Sequence, residues 1–475
     1  MADNRFSRRE LLRAAALAGL LAPAAGALSA CASPSGGGPD PSRSPTAGAT
    51  SAANPLGIAE DQPFEVVIFD GGFGDAYARE VHQPLFAGKH PGVRIKHTAT
   101  KEIAKTLQPR FAGGDPPEFV NNSGAGAMDF GALAQDGQLQ DLGPLLDAPS
   151  WDDPAIKVRD TVLPSAIEIG TYDGTFSVLN YANTVWGIWY SKKLFGDNGW
   201  EVPETWDQFT ALCETVKRSG KAAPFTYAGK HPFYIYETIL TLAAKIGGAE
   251  VLKNLDNLAE GAWKAEPVAT AAGAFADIGA RFLMQGTSGL DHIQTQTAHN
   301  KYQVAMLPCG SWLENEQKDT TPADFGYAMF PLPSFTSSDA LPYGTLHSRP
   351  GEEYFVAARS PNPLAGVEYM RAMLSKQGAG RFTELVSTLT VVEGAAEGRT
   401  LKPGLTSAAA ALAAAGKNVT YFRFRQWYQE LHDEVAAATG QLMAGRLKVA
   451  EWADRLQRKS DSIREDSSVK KYTRA

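Results

Sequence analysis

Cys31 closes the run Leu28-Ser29-Ala30-Cys31, which has the form of a lipobox: the cysteine sulfur is acylated and the residue becomes the first of the mature chain. The residues ahead of it suit that chemistry. Ser7-Arg8-Arg9-Glu10-Leu11-Leu12-Arg13 is basic, Ala14 to Ala27 is apolar, and small residues flank the break point, the three parts of an export signal over residues 1–30. The arginine pair adds twin-arginine character. A transmembrane helix would need a longer run with less alanine and glycine. A plain secretory signal with an incidental cysteine is the alternative.

Patterns for bond-breaking chemistry are weaker. Asp152-Asp153 and Glu352-Glu353 are adjacent carboxylates, but glycoside hydrolysis needs two carboxylates flanking one bond, and chain neighbours point apart. Gly310-Ser311-Trp312 lacks the second glycine of a nucleophile elbow. Gly71-Gly72-Phe73-Gly74 lacks the lysine and spacing of a phosphate loop. The eight histidines are scattered, and Cys213 and Cys309 show no zinc spacing. These two read as buried free thiols, with a disulfide between them as the alternative. The expectation is binding without catalysis, with no metal and no cofactor. A net charge of −7 over 475 residues, more acidic still once the arginine-rich signal is removed, argues against nucleic acid and a polybasic membrane surface.

The elements that position any site follow from hydrophobic period and turn residues. Residues 31–61 are rich in Ser, Pro, Gly and Ala and predict a disordered tether. From Phe64 onward strands and helices alternate. Phe64–Phe69, Val93–Lys96 and Glu118–Val120 read as strands, with helical spacing over Asp75–Phe86 and Glu102–Phe111 between them. That order predicts a parallel sheet with right-handed crossovers. The loops Asp70–Gly74, after Lys96, and Asn121–Gly126 then share the edge where α/β sheets bind ligands. In Phe176–Phe195 two extended runs meet at Asn180–Thr184. Thr205 predicts a helix N-cap. Gln303–Trp312 reads as a strand entering a glycine turn, Met329–Pro333 as an extended return, and Tyr421–Gln457 as helical.

This order of signals resembles the extracellular solute-binding proteins of carbohydrate ABC importers. Leu133–Leu142, Trp189–Phe195 with Pro203-Glu204-Thr205-Trp206, Ala305-Met306 with Gly310-Ser311-Trp312, and Gln441–Arg458 carry the resemblance, which spans Phe64 to Asp466. Within the family it is nearest to the type that takes N-acetylglucosamine and N,N′-diacetylchitobiose. The resemblance implies a two-lobe α/β fold of the periplasmic-binding-protein kind, with crossing hinge strands and a ligand cleft. Lobe one would be 62–182 with 329–389, and lobe two 185–328 with 390–475. It implies a lipid-anchored monomer at the extracellular face of the cell membrane, handing a small-molecule sugar to transmembrane permease subunits of an ABC importer. A secreted glycoside hydrolase and a binding protein for another oligosaccharide are the rival readings. Gly344–Gly351 departs from the family's glycine pair and reads as an insertion.

A neutral sugar offers hydroxyls and an apolar face, so its cleft needs an aromatic plane and a few fixed polar groups. On the resemblance, Trp312 is the stacking platform. Tyr181 and Asn183 stand at the hinge, Asn121 and Asn122 after strand three, and Phe73 and Asp75 after strand one. Trp427, Tyr234 and Glu353 complete the candidates. Each has a structural alternative: core packing for Trp312, Tyr181 and Trp427, backbone satisfaction for the asparagines, helix capping for Asp75, and a solvated loop carboxylate for Glu353.

Overall fold

The computed structural model describes residues 48–474 except Ala125; Cys31 and the export signal lie outside the described residues. Its strands are β1 (Pro63–Phe69), β2 (Arg94–Thr100), β3 (Phe119–Asn121), β4 (Thr171–Tyr172), β5 (Thr175–Phe176), β6 (Leu179–Ser191), β7 (Ala223–Phe225), β8 (Val304–Gly310), β9 (Tyr327–Phe330), β10 (Leu346–Val356), β11 (Leu389–Thr390) and β12 (Val419–Thr420).

The main sheet runs β2-β1-β3-β10-β6-β8-β7. It consists of two parallel blocks joined by an antiparallel pair. β1 lies parallel to both β2 and β3, as the βαβ pattern predicts, and β7 lies parallel to β8. β10 runs antiparallel to β3 and to β6, and β6 runs antiparallel to β8. β6 is 13 residues long and buried at every position but Gly187 and Tyr190, because both of its faces are covered. Its first half pairs with β10, from Leu179↔Tyr354 to Trp186↔His347, and its second half with β8 and β9. Gly187 permits the last contact, since a Cβ there would fall 2.9 Å from the Phe330 carbonyl oxygen.

Apolar side chains gather on each block. Phe64, Val66, Tyr181, Tyr354 and Phe382 belong to one core, and Phe209, Phe225, Ile239, Met306 and Trp452 to another. A smaller cluster containing Val185, Trp186, Trp189 and Leu307 sits where β6 passes between them. Thr205 caps the helix Trp206–Ser219 through a reciprocal box with Gln208, as expected.

Four segments differ from the sequence reading. Residues 48–61, expected as disordered tether, fold. The Gly48 amide donates to the Gly57 carbonyl at 2.8 Å, the Asn54 side chain accepts from the Ile58 amide at 2.8 Å, and Ile58 is 1% exposed. Buried Ile58, the self-satisfied turn, and long-range bonds from Asn362 Nδ2 to the Ala59 carbonyl at 3.2 Å and between His90 and Glu60 dock the strap, which average composition conceals. The extended run at Met329 pairs with the second half of β6, and Phe330 and Leu332 join the second core; the return toward β3 is made by β10. Leu346–Gly351, within the apparent insertion, is the first half of that crossing strand. From Tyr421 the tail is three helices, Phe424–Trp427, Gln429–Met443 and Val449–Glu465, the last two separated at Gly445, whose φ is +67°.

Candidate functional site

The loop after β1 meets the turn after β8. Asn315 Nδ2 donates to the Gly72 carbonyl at 2.7 Å. Beside this contact, β8 ends at Gly310 and the chain turns into the short helix Leu313–Glu316, with Trp312 at its N-cap position. The Trp312 ring folds back over Gly310, where a Cβ would lie 2.3 Å from a ring carbon; only glycine leaves that space.

Trp312 remains half-buried and is held edge-on by two enclosed rings. Trp186 of β6 lies 5.1 Å away at 89°, and Tyr234 of the helix Phe233–Gly247 lies 6.0 Å away at 84°. Phe233 packs on Tyr234 at 4.4 Å, and the Arg425 guanidinium sits 4.4 Å from the Phe233 ring while donating to Glu237 Oε1 at 2.6 Å. A polar group adjoins the rings. His292 stacks on Tyr234 at 6.4 Å and 17°, and His231 lies 5.3 Å from His292. Glu316 Oε2 accepts from Gln296 Nε2 at 2.6 Å. Burial pushes the Glu316 carboxyl up to about 7, and burial with the neighbouring His231 lowers His292.

The structure thus brings Trp312 and Tyr234 together and gives the other candidates different work. Tyr181 has no exposed surface, and its hydroxyl donates to the Met373 carbonyl at 2.8 Å, so it belongs to the first core. Asn183 is 6% exposed and accepts from Ser348 Oγ at 3.3 Å across the β6/β10 ladder. Asn121 ties β1, β3 and β10: Oδ1 accepts from the Phe69 amide at 3.2 Å, and Nδ2 donates to Ser123 Oγ at 3.0 Å. Asn122 clamps Met128, accepting from its amide at 2.8 Å and donating to its carbonyl at 2.9 Å. Phe73 packs edge-on against Phe382 at 5.7 Å, on the rim of the first core. The Asp75 carboxylate bonds Arg79 at 2.8 Å and His97 at 2.9 Å; the bond to Arg79 above all keeps it below the usual carboxylate range. Trp427 is covered on its faces, by Arg423 at 4.6 Å and by Tyr472 stacked at 5.4 Å, so it offers no open platform. Glu353 accepts from Ser123 Oγ at 3.3 Å and joins the Asn121 knot. Cys213 and Cys309 are buried and unbridged.

Trp186, Phe233, His292, Glu316 and Arg425 were not singled out by sequence. Trp186 lies within Phe176–Phe195 and Phe233 adjoins Tyr234. The i,i+4 spacing of Trp312 and Glu316 was a usable signal. His292 and Arg425 carried none, since they reach the site from distant helices.

Residues 70–380 match the bacterial extracellular solute-binding protein family. The diacetylchitobiose binding protein NgcE of Streptomyces coelicolor is 35% identical over 471 residues, 98% of each chain. Among solved structures, a chitin oligosaccharide binding protein superposes with a TM-score of 0.68 at 18% identity, covering 85% of this chain and 99% of that one. The raffinose complex of the solute-binding protein RafE superposes with a TM-score of 0.63 at 16% identity, covering 84% and 99%. Likeness along nearly the whole sequence and a shared mixed α/β periplasmic-binding-protein architecture lead to one conclusion: this chain belongs to the bacterial extracellular solute-binding proteins, which hold a solute without transforming it.

Proposed function

We propose that this chain captures N-acetylglucosamine, N,N′-diacetylchitobiose or both between a lobe built on β1–β3 and a lobe built on β7–β9, with β6 and β10 as the hinge. It delivers the sugar to the transmembrane permease subunits of an ABC importer. It does so as a monomer held at the outer face of the cell membrane by lipid on Cys31.

The observation that carries this reading is the half-buried Trp312 ring, braced by Trp186 and Tyr234 where the β8 turn meets the loop after β1. A pyranose face of C–H groups stacks on such a ring, and its hydroxyls find the polar groups beside it. The 35% identity to a protein that binds diacetylchitobiose supports the choice of sugar. Other oligosaccharides are the main competitors, because ligand identity lives in a few contacts and not in the fold.

Calorimetry of the mature domain against N,N′-diacetylchitobiose, N-acetylglucosamine, raffinose and galactose tests it. Saturable binding of the N-acetylated sugars, recovered intact, is expected; binding of raffinose or galactose alone would reassign the ligand. Fatty-acid labelling of the wild type and not of Cys31→Ser is expected for the anchor, and equal labelling of both would remove it.

A further inference from the structure

Glu316 follows Trp312 by one helical turn, and both adjoin Tyr234, the ring at 6.0 Å and the carboxylate through its charge. Its two oxygens are differently placed. Oε2 is fixed by Gln296, whose own carbonyl oxygen accepts from Gln317 Nε2 at 3.1 Å. Among the described residues no group donates a hydrogen bond to Oε1. The ring nitrogen His292 Nε2 is 3.8 Å away, beyond hydrogen-bond reach. On its other side Oε1 meets Gly72 of the opposite block, where a Cβ would come within 2.8 Å of it. The Glu316 side chain is 10% exposed. An anchored carboxylate with one spare acceptor, next to a stacking ring and at the contact between the two blocks, is built to receive a donor from outside the protein.

We propose that Glu316 is the specificity-determining carboxylate of this site, its Oε1 accepting a hydroxyl or amide N–H from a neutral sugar stacked on Trp312. This rests on the sugar-binding reading above and deepens it. A neutral, donor-rich ring satisfies Oε1, whereas a uronic acid would set a second carboxylate against it and be rejected. Gly72 belongs to the same device, because a side chain there would fill the approach to Oε1.

The arrangement has a pH signature. The titratable groups around Glu316 are His292 on the helix His292–Asn300, Tyr234 on the helix Phe233–Gly247 and Cys309 on β8; the loop after β1 brings Gly72. Tyr234 and Cys309 are held far above their ordinary values, chiefly by burial, and stay neutral. Burial alone, eased by Gln296, brings Glu316 to about 7 without ligand. A sugar donor on Oε1 favours the ionised form. Binding therefore releases a proton below about pH 7, and affinity falls with pH by up to about tenfold per unit.

The test is calorimetry with N,N′-diacetylchitobiose from pH 5.5 to 8.5, in buffers of different ionisation enthalpy, on wild type, Glu316→Gln, Gly72→Ala and Trp312→Ala. Wild-type affinity is expected to rise with pH and level off above neutrality, with proton release on the acid side. Glu316→Gln, which keeps the side-chain shape, is expected to give a flat profile at least tenfold weaker at pH 8.5, with a melting temperature of the empty protein that is not lowered. Gly72→Ala is expected to weaken binding across the range. A Glu316→Gln profile that parallels the wild type, or wild-type affinity that rises toward acid, overturns the assignment. If Trp312→Ala weakens binding while Glu316→Gln does not, this inference fails and the sugar site stands. If neither variant alters binding, or the wild type binds none of the disaccharide, both fail.

Discussion

At the scale of single residues, partial exposure separates the candidates for binding from those for support. Asn121, Asn122 and Tyr181 are at most 1% exposed and have their hydrogen-bonding groups committed, so they hold loops and core in place. Trp312 is only half-buried and meets the Trp186 ring at 5.1 Å and 89°. A stacking anchor of this kind commonly contributes about 2 kcal/mol or more. Trp312→Ala is therefore expected to weaken disaccharide binding at least tenfold, or about 1.4 kcal/mol, with the melting temperature of the empty protein nearly unchanged. Were the ring a core residue, truncation would cost about 3–5 kcal/mol of folding stability instead. A large drop in melting temperature with unaltered affinity would assign it to the core. The turn position of Trp312 was legible because a strand ending in Gly-Ser predicts a turn that exposes the next residue. Trp427 was misleading because its covering partners, Arg423 and Tyr472, come from sequence positions that no local pattern links to it.

At the scale of elements, local signals read well and docking read poorly. The parallel β1–β3 block and the Thr205 cap follow from short-range period and capping chemistry, and both are present. The strap of residues 48–61 was missed because its order depends on distant partners. His90, fully buried, faces two carboxylates, Glu60 Oε1 at 2.8 Å and Glu368 Oε1 at 3.0 Å, and Glu368 also binds Arg371 at 2.6 and 2.8 Å. Burial by itself lowers His90, but its bonds to Glu368 and Glu60 outweigh that and raise it above 6.5. Burial by itself raises Glu368, but Arg371 and His90 outweigh that and hold it below 4.5. A raised histidine stabilises fully below its unfolded value and loses the effect as pH climbs through the folded one; a lowered carboxylate loses its effect as pH falls through the folded value. The knot is thus strongest from about pH 4.5 to about 6.5. Hydrogen exchange at the Ile58 and Ala59 amides, corrected for intrinsic rates, is expected to be slowest in that window and to accelerate above it. His90→Gln should exchange faster throughout and lose the alkaline acceleration. An unchanged pH response in that variant would place the strap's stability elsewhere.

At the scale of the whole molecule, the two blocks share their central strands, and this governs how ligand binding is felt. β6 and β10 pair over Leu179–Trp186. β6 gives Leu179 and Tyr181 to the first core, Val185, Trp186 and Trp189 to the middle cluster, and Ile188 to the second core. Neither block can unfold without removing a buried strand from the other, which would leave apolar side chains and backbone hydrogen-bonding groups of the partner exposed. The described fold is expected to melt in one calorimetric transition despite its two lobes. A sugar that binds only the native state adds about 2.7 kcal/mol at a hundred times its dissociation constant, and that energy reaches every part of a cooperative unit. Saturating disaccharide should accordingly raise the single melting temperature by a few degrees, with a shift that grows as the logarithm of sugar concentration. Gly187→Ala offers the contrast: the added methyl forces β9 away from β6, lowering the transition without touching Trp312, so sugar should still raise it by a similar amount. Two resolved transitions, only one of them moved by ligand, would mean that β6 and β10 act as a flexible link and not as a shared core.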